Sequence, residues 1–460
     1  MKYSEYQKSI FREILTGNSN IAVISRAGVG KTATILESFK YIKPNTKSIA
    51  LAFNRHIAKE LKEKNKYNVE VYTLHSIGMR AISSRFSNVK VDNNKVNNIL
   101  FKLLDKINYP MINEFRRAVS IAKMSLQDSP DQIVNFLDYY RIDIDPFTKE
   151  EFCKIVIQCL RKCKEDTKVI DFDDMIWFPF VFDLNIGKYD NIFVDECQDL
   201  NYAQLNMILK LKKQESRIFM FLDDKQAIYS FRCAHIKNVM NFIDKLNCKN
   251  MSLPITYRCP KKVVEFVKKY VDDYLAYEEN IDGEIIEIKY SQLFESLEPN
   301  SLVLSRYNDP LIKLYFSLIN NKIPAMIKGK DIGDNILSFI KKYKKKTIEK
   351  TINSLNTKLL NYSSDINSDD DLSDKIRLAI SLLKECNSFT ELNDLVKKIF
   401  IDVEDKNKVI LSTVHSFKGG EKDNVYVLED TLNHCDIQEE KNINYVAYTR
   451  AKKKLFLVKE

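Results

Sequence analysis

The sequence predicts an α/β protein made of two parallel-sheet units, each interrupted by an insertion. Three observations carry this expectation. Over residues 1–84, short apolar runs alternate with helical patterns; the rhythm stops over 85–180 and resumes at 191–224; and a second series of apolar runs follows residue 252. Strand–loop–helix alternation marks a parallel sheet, because parallel strands need a crossover, usually a helix, to connect them.

The elements follow in order. IAVIS (21–25) is a buried strand, followed by a glycine-containing loop and a helix over TATILESFKYI. KSIALAF (47–53) and VEVYTLH (69–75) are the next strands, and NIFVDE (191–196) and RIFMFLDD (217–224) complete the first unit. The second unit has SLVLS (301–305), KVILSTVHS (408–416), NVYVLE (424–429) and KLFLVK (454–459). A lysine-rich helical stretch interrupts it, with a polar acidic patch, SSDINSDDDLSD (363–374), read as a loop. The resulting domains are 1–84 with 181–251, a helical insertion 85–180, 252–339 with 406–460, and a reduced insertion 340–405.

Composition narrows the classes. A 460-residue chain with an ordinary 45% hydrophobic share is long enough for several domains. No run of about 18 apolar residues occurs, so no transmembrane helix is expected. MKYSEYQKSIFREIL lacks the apolar core and small-residue cleavage site of a signal peptide. Nine scattered cysteines suit a reducing compartment. The expected location is therefore intracellular, cytoplasmic or at a nucleoid or viral replication site. Cys153, Cys159 and Cys163 read as buried thiols, because a metal or iron–sulfur site needs a fourth ligand and usually tighter pairs. The net charge of +9 fits a polyanionic partner, but the charges are mixed along the chain, so charge alone does not select nucleic acid.

Two motifs carry chemistry. SRAGVGKT (25–32) follows a strand and opens a helix, the context of a phosphate-binding loop. Ala27, Gly28, Val29 and Gly30 form its backbone cradle, and the two glycines let N–H groups approach phosphate oxygens. Lys31 reaches the β/γ-phosphates, and the Thr32 hydroxyl is a Mg²⁺ ligand. The strict pattern fails at its first position, where Ser25 replaces glycine. In FVDECQD (193–199), Asp195 and Glu196 end an apolar strand, at the edge where open α/β sheets bind ligands. Asp195 is expected to hold Mg²⁺, directly or through water, and Glu196 to orient or deprotonate the attacking water. Together the motifs point to hydrolysis of a nucleoside triphosphate.

The remaining motifs resemble those of superfamily 1 DNA helicases of the UvrD/Rep/PcrA type, in the right order over most of the chain. The resemblance implies two RecA-like parallel-sheet domains that hold ATP and Mg²⁺ between them while moving on single-stranded DNA. It implies that Gln7, in YSEYQKSIF, reads adenine. ALAFNRHIAKEL (50–61) and VYTLHSIG (71–78) resemble DNA-contacting motifs, with Phe53, Thr73 and His75 at the contact positions. LDDKQAIYSFRCA (222–234) resembles GDxxQSIYxFRGA, implying that Gln226 senses the γ-phosphate and that Tyr229, Phe231 and Arg232 meet DNA.

LPITYRCP (253–260) implies that Tyr257 stacks on adenine and Arg258 reaches the γ-phosphate. STVHSFKGGEKDNVYVL (412–428) supplies His415 and Lys418, with Glu421 at the ribose position. YVAYTRAKKKLFLV (445–458) places Arg450 as a second arginine on the γ-phosphate. A planar guanidinium binds phosphate oxygens bidentately, which explains arginine there in a lysine-dominated chain. The sequence departs from the family's pattern at Arg26, Ala33, Leu222, Lys225 and Cys233, and the stretch between Arg258 and Val409 is short.

The implied activity is ATP-dependent unwinding with 3′→5′ polarity, on single strands and duplex junctions, with replication or repair proteins as partners and no membrane. The alternatives are a 5′→3′ RecD-like motor, an RNA motor, or a nucleotide-gated translocase that does not unwind.

Overall fold

Six strands form the first sheet, in the spatial order Val69–Tyr72, Ser48–Leu51, Tyr189–Val194, Lys212–Leu222, Ile21–Ser25 and Lys249–Leu253. Every pairing among them is parallel. Ile21–Ser25, Ser48–Leu51 and Tyr189–Val194 are buried almost throughout, as continuous apolar runs in a two-sided sheet must be. The computed structural model describes residues 3–230, 233–363, 370–401, 405–433, 435 and 437–460.

The chain divides into two compact units, Met1–Arg26 with Gly30–Leu253, and Ala27–Val29 with Pro254–Glu460. In the first, five helices lie between Lys95 and Val181: Lys95–Leu103, Ile112–Ser125, Pro130–Tyr139, Lys149–Glu165 and Phe172–Val181. Their starts are written locally. Ser129, Thr148 and Asp171 each close a capping box with the residue three positions on, so orphan N–H groups at each start are satisfied. Cys153, Cys159 and Cys163 lie buried along one of these helices, in the apolar core.

Seven parallel strands form the main sheet of the second unit, in the order Glu284–Lys289, Ala451–Lys459, Lys422–Leu428, Leu302–Ser305, Val409–Thr413, Ala325–Lys328 and Phe400–Ile401. Helices Lys330–Tyr343, Ile348–Ser363, Asp370–Lys384 and Phe389–Ile399 lie in sequence between its strands Ala325–Lys328 and Phe400–Ile401. The acidic patch expected to be a loop is corrected here. Ser363 ends one helix and Asp370 opens the next, while 364–369 lie outside the described residues. Asp374 explains the helix. Its carboxylate accepts from the backbone N–H of Asn308 (3.0 Å) and of Asp309 (3.0 Å), at the start of Asn308–Asn320. That helix has no side-chain cap of its own, so an acidic residue from elsewhere supplies it.

Among the described residues no helix is long and apolar enough to cross a membrane.

Candidate active site and nucleic-acid interface

In an all-parallel sheet the C-terminal ends of the strands share one edge. Lys31, Phe53, Thr73, Asp195, Glu196 and Gln226 each follow such an end, on five different strands. The topology alone therefore gathers residues scattered over the first unit onto a single rim.

At its centre Lys31 Nζ donates to Glu196 Oε2 at 2.9 Å. Lys31 opens the helix Lys31–Ser38, whose N-cap, Gly30, has φ of 79°. A glycine adopts that left-handed conformation without strain. Glu196 adopts it too, with φ of 52°, although an L side chain disfavours it. Gln198 donates from Nε2 to Glu196 Oε2 and accepts the backbone N–H of Asp223 at 3.0 Å. Asp223 Oδ2 accepts from Gln226 Nε2 at 2.6 Å. Asp195, Glu196, Asp223 and Gln226 thus form one connected polar network with the phosphate-loop lysine.

Electrostatics favour a cation here. Burial, then the neighbouring Glu196, pushes the Asp195 carboxyl up to about 7. Burial likewise pushes Asp223 up to about 6. Four carboxylates (Asp195, Glu196, Asp223 and Asp224) stand around three cations, Lys31, Arg26 and Lys225. A Mg²⁺ ion would relieve the excess. No group of three acidic, histidine or cysteine residues that could hold a metal occurs among the described residues.

Gln7 is buried. Its Oε1 closes a capping box with Ser4, and its Nε2 donates to Thr34 Oγ1 at 2.9 Å, in the helix after the phosphate loop. Both ends of its amide thus have protein partners.

The aromatic residues on the rim also meet. The rings of Phe53 and Tyr229 lie 6.2 Å apart and within 14° of parallel. His75 stands edge-on to Phe172, and burial, then Arg55, pushes its imidazole below the ordinary value, towards the neutral form. Thr73 Oγ1 accepts the N–H of Ser76, capping Leu74–Arg85, so the hydroxyl has a structural duty. Phe231 and Arg232 lie outside the described residues.

In the second unit, Glu421 and Arg450 precede their strands and stand at the N-terminal edge of the sheet, whereas His415 follows Val409–Thr413 at the opposite edge. Arg258 Nε donates to Glu421, the residue expected at the ribose. Tyr257 packs against Tyr277, ring centroids 5.1 Å apart. Arg450 is 1% exposed. Its Nε donates to Val446 O (2.8 Å), Nη1 to Gly420 O (3.2 Å) and Nη2 to Thr449 Oγ1 (3.0 Å). Three donors fixed in one plane hold the guanidinium rigidly, which a lysine ammonium could not reproduce. Burial, then the charge of Arg258, pushes its pKa down to about 10.

Sequence reading missed Gln198, Asp223, and the contacts of Ser25 and Arg26. Gln198 sits in FVDECQD beside the carboxylate pair, so a polar residue was visible there. Its partner Asp223 is on another strand, and no local pattern announces that.

Residues 408–458 match the UvrD-like helicase C-terminal domain family. Among curated relatives, ATP-dependent DNA helicase Rep of Buchnera aphidicola (subsp. Baizongia pistaciae) is 25% identical over 63% of this chain and 46% of its own. F-box DNA helicase protein 1 of Schizosaccharomyces pombe is 24% identical over 98% of this chain and 57% of its own. ATP-dependent DNA helicase PcrA of Bacillus subtilis is 22% identical over 56% of this chain and 38% of its own. The chain spans about half the length of the curated relatives it matches. Residues 6–247, more than half of the chain, match the UvrD/REP helicase N-terminal domain family, and the chain belongs to that family.

Proposed function

We propose that this protein is an ATP-driven motor that moves 3′→5′ on single-stranded DNA and couples ATP hydrolysis to duplex unwinding. The observation that carries the proposal is the ion pair between Lys31 and Glu196, set in a network that also reaches Gln226. A phosphate-loop lysine and an acidic general base do not otherwise need to meet.

The pair suggests how the cycle begins. Lys31 exchanges Glu196 for phosphate oxygens when ATP binds, and the freed carboxylate becomes a base. Water oxygen attacks the γ-phosphorus while the bond to the β–γ bridging oxygen breaks; ADP keeps that electron pair, and Glu196 takes the proton from water. Thr32 and Asp195 would hold Mg²⁺, which supplies neutralisation of phosphate charge. Gln226 orients the γ-phosphate and water. Arg258 and Arg450 neutralise charge that develops on the transferring group, Gln7 and Tyr257 hold adenine, and Glu421 serves the ribose once it releases Arg258. The phosphate-loop backbone, Ala27 to Gly30, cradles the phosphates.

For DNA, Phe53 and Tyr229 offer faces on which bases stack regardless of sequence, each worth roughly 1–3 kcal/mol. His75, His415, Thr73, Phe231 and Arg232 complete the proposed strand contacts. Residues 85–180 and 340–405 act as accessory insertions on the two motor domains. Replication or repair proteins are the proposed partners.

The test is ATP hydrolysis by purified protein with and without single-stranded DNA. Stimulation by DNA, lost in Glu196→Gln while ATP binding persists, supports the proposal. Equal hydrolysis by Glu196→Gln and the parent sinks the assignment of the base.

A further inference from the structure

Two unusual residues lie side by side in the phosphate loop. Ser25 stands where the strict pattern has its first glycine, and Arg26, noted above as a departure from the family's pattern, follows it directly. Neither side chain points idly into solvent. Ser25 Oγ donates to Leu222 O at 2.7 Å, and both groups are buried. Arg26 is buried as well; its Nη1 lies 2.6 Å from Asp224 Oδ1 and 3.6 Å from Asp223 Oδ1. Leu222 itself replaces a glycine of the GDxxQ pattern. The unusual residues of one motif therefore bind the other motif.

We infer that Ser25 and Arg26 form a clasp that ties the phosphate loop to residues 222–226, and that Arg26 is a positioning residue for Gln226. The inference rests on the proposed role of Gln226 at the γ-phosphate. The physical route is short. A buried guanidinium is stable only when paired, and Asp223 and Asp224 pair it. Asp223 is fully buried and uses its remaining capacity on Lys225 N–H (3.1 Å) and on Gln226 Nε2 (2.6 Å). The charge of Arg26 thus holds in place the carboxylate that holds the glutamine amide. Two glycines at 25 and 26 would supply neither tie.

The experiment is a double-mutant cycle in DNA-stimulated ATP hydrolysis, using Arg26→Gln, Arg26→Lys and Gln226→Ala. Arg26→Gln is expected to lower kcat about tenfold with the KM for ATP within about twofold, and Arg26→Lys to keep most of the rate. In the Gln226→Ala background, Arg26→Gln is expected to cost less than about twofold more, because the residue it positions is gone. Asp223→Asn removes the carboxylate that links Arg26 to Gln226 and is expected to give the same pattern if Arg26→Gln does not fold. A raised KM with unchanged kcat in Arg26→Gln would place Arg26 on the nucleotide and overturn the clasp. Losses that multiply between Arg26→Gln and Gln226→Ala would also overturn it. Turnover unchanged in Gln226→Ala overturns both the clasp and the reading of Gln226 beneath it; a KM effect at Arg26 alone overturns only the clasp.

Discussion

Glu196 carries a backbone cost that its neighbours do not. Its φ of 52° is a conformation that costs an L residue of order 1–3 kcal/mol, and glycine would avoid it. The side chain is retained where it meets Lys31 and Gln198, which is where strain at a functional site is expected. Glu196→Gln keeps the shape and removes the base. It is expected to lower turnover by about 10²-fold or more with ATP affinity preserved, measured by steady-state hydrolysis and nucleotide titration. Arg450→Lys keeps a charge but loses the planar fork now fixed on Val446, Gly420 and Thr449. It is expected to reduce kcat by ~10²-fold or more while the KM for ATP changes little; a KM rise alone would assign Arg450 to ground-state binding. Lys31, Asp195 and Glu196 were legible in the sequence because each sits in a short motif flanked by a strand. Gln198 and Arg26 were not, since their partners Asp223 and Asp224 come from a distant strand end.

Elements show the same division. Strands that are apolar throughout, such as Ile21–Ser25, announce themselves. Lys249–Leu253 and Glu284–Lys289 were missed because each lies at the edge of its sheet, with polar residues facing solvent. The acidic patch misled for a related reason: Asp374 belongs to a helix because it caps another one. Asp374→Ala is expected to destabilise the second unit by ~1–2 kcal/mol in urea unfolding. Among the helices between Lys95 and Val181, Lys123 Nζ lies 2.7 Å from Asp171 Oδ2 and 2.8 Å from Asp174 Oδ1, and Lys95 Nζ 2.8 Å from Asp174 Oδ2. All four residues are buried. Burial alone would lower the Lys123 pKa, and the two aspartates more than reverse it. Lys123→Ala strips buried Asp171 of its cation, leaves Asp174 with Lys95 alone, and is expected to cost about 3–5 kcal/mol in the same assay, far more than a surface ion pair.

At the scale of the molecule, two parallel sheets give each unit its rims, and each motif falls on a predictable edge. That much was legible from strand–loop–helix rhythm and motif order, because parallel topology converts sequence order into position. Polarity is not written in any rim. It depends on which way a strand runs across Phe53, Tyr229 and their companions, and no side chain fixes that direction by itself. Strand separation reads that direction: purified protein with ATP and Mg²⁺ is given duplexes carrying a 3′ or a 5′ single-stranded DNA tail. Unwinding of the 3′-tailed duplex alone is the expected result; unwinding of the 5′-tailed duplex alone, or of neither while DNA-stimulated ATP hydrolysis persists, would contradict it.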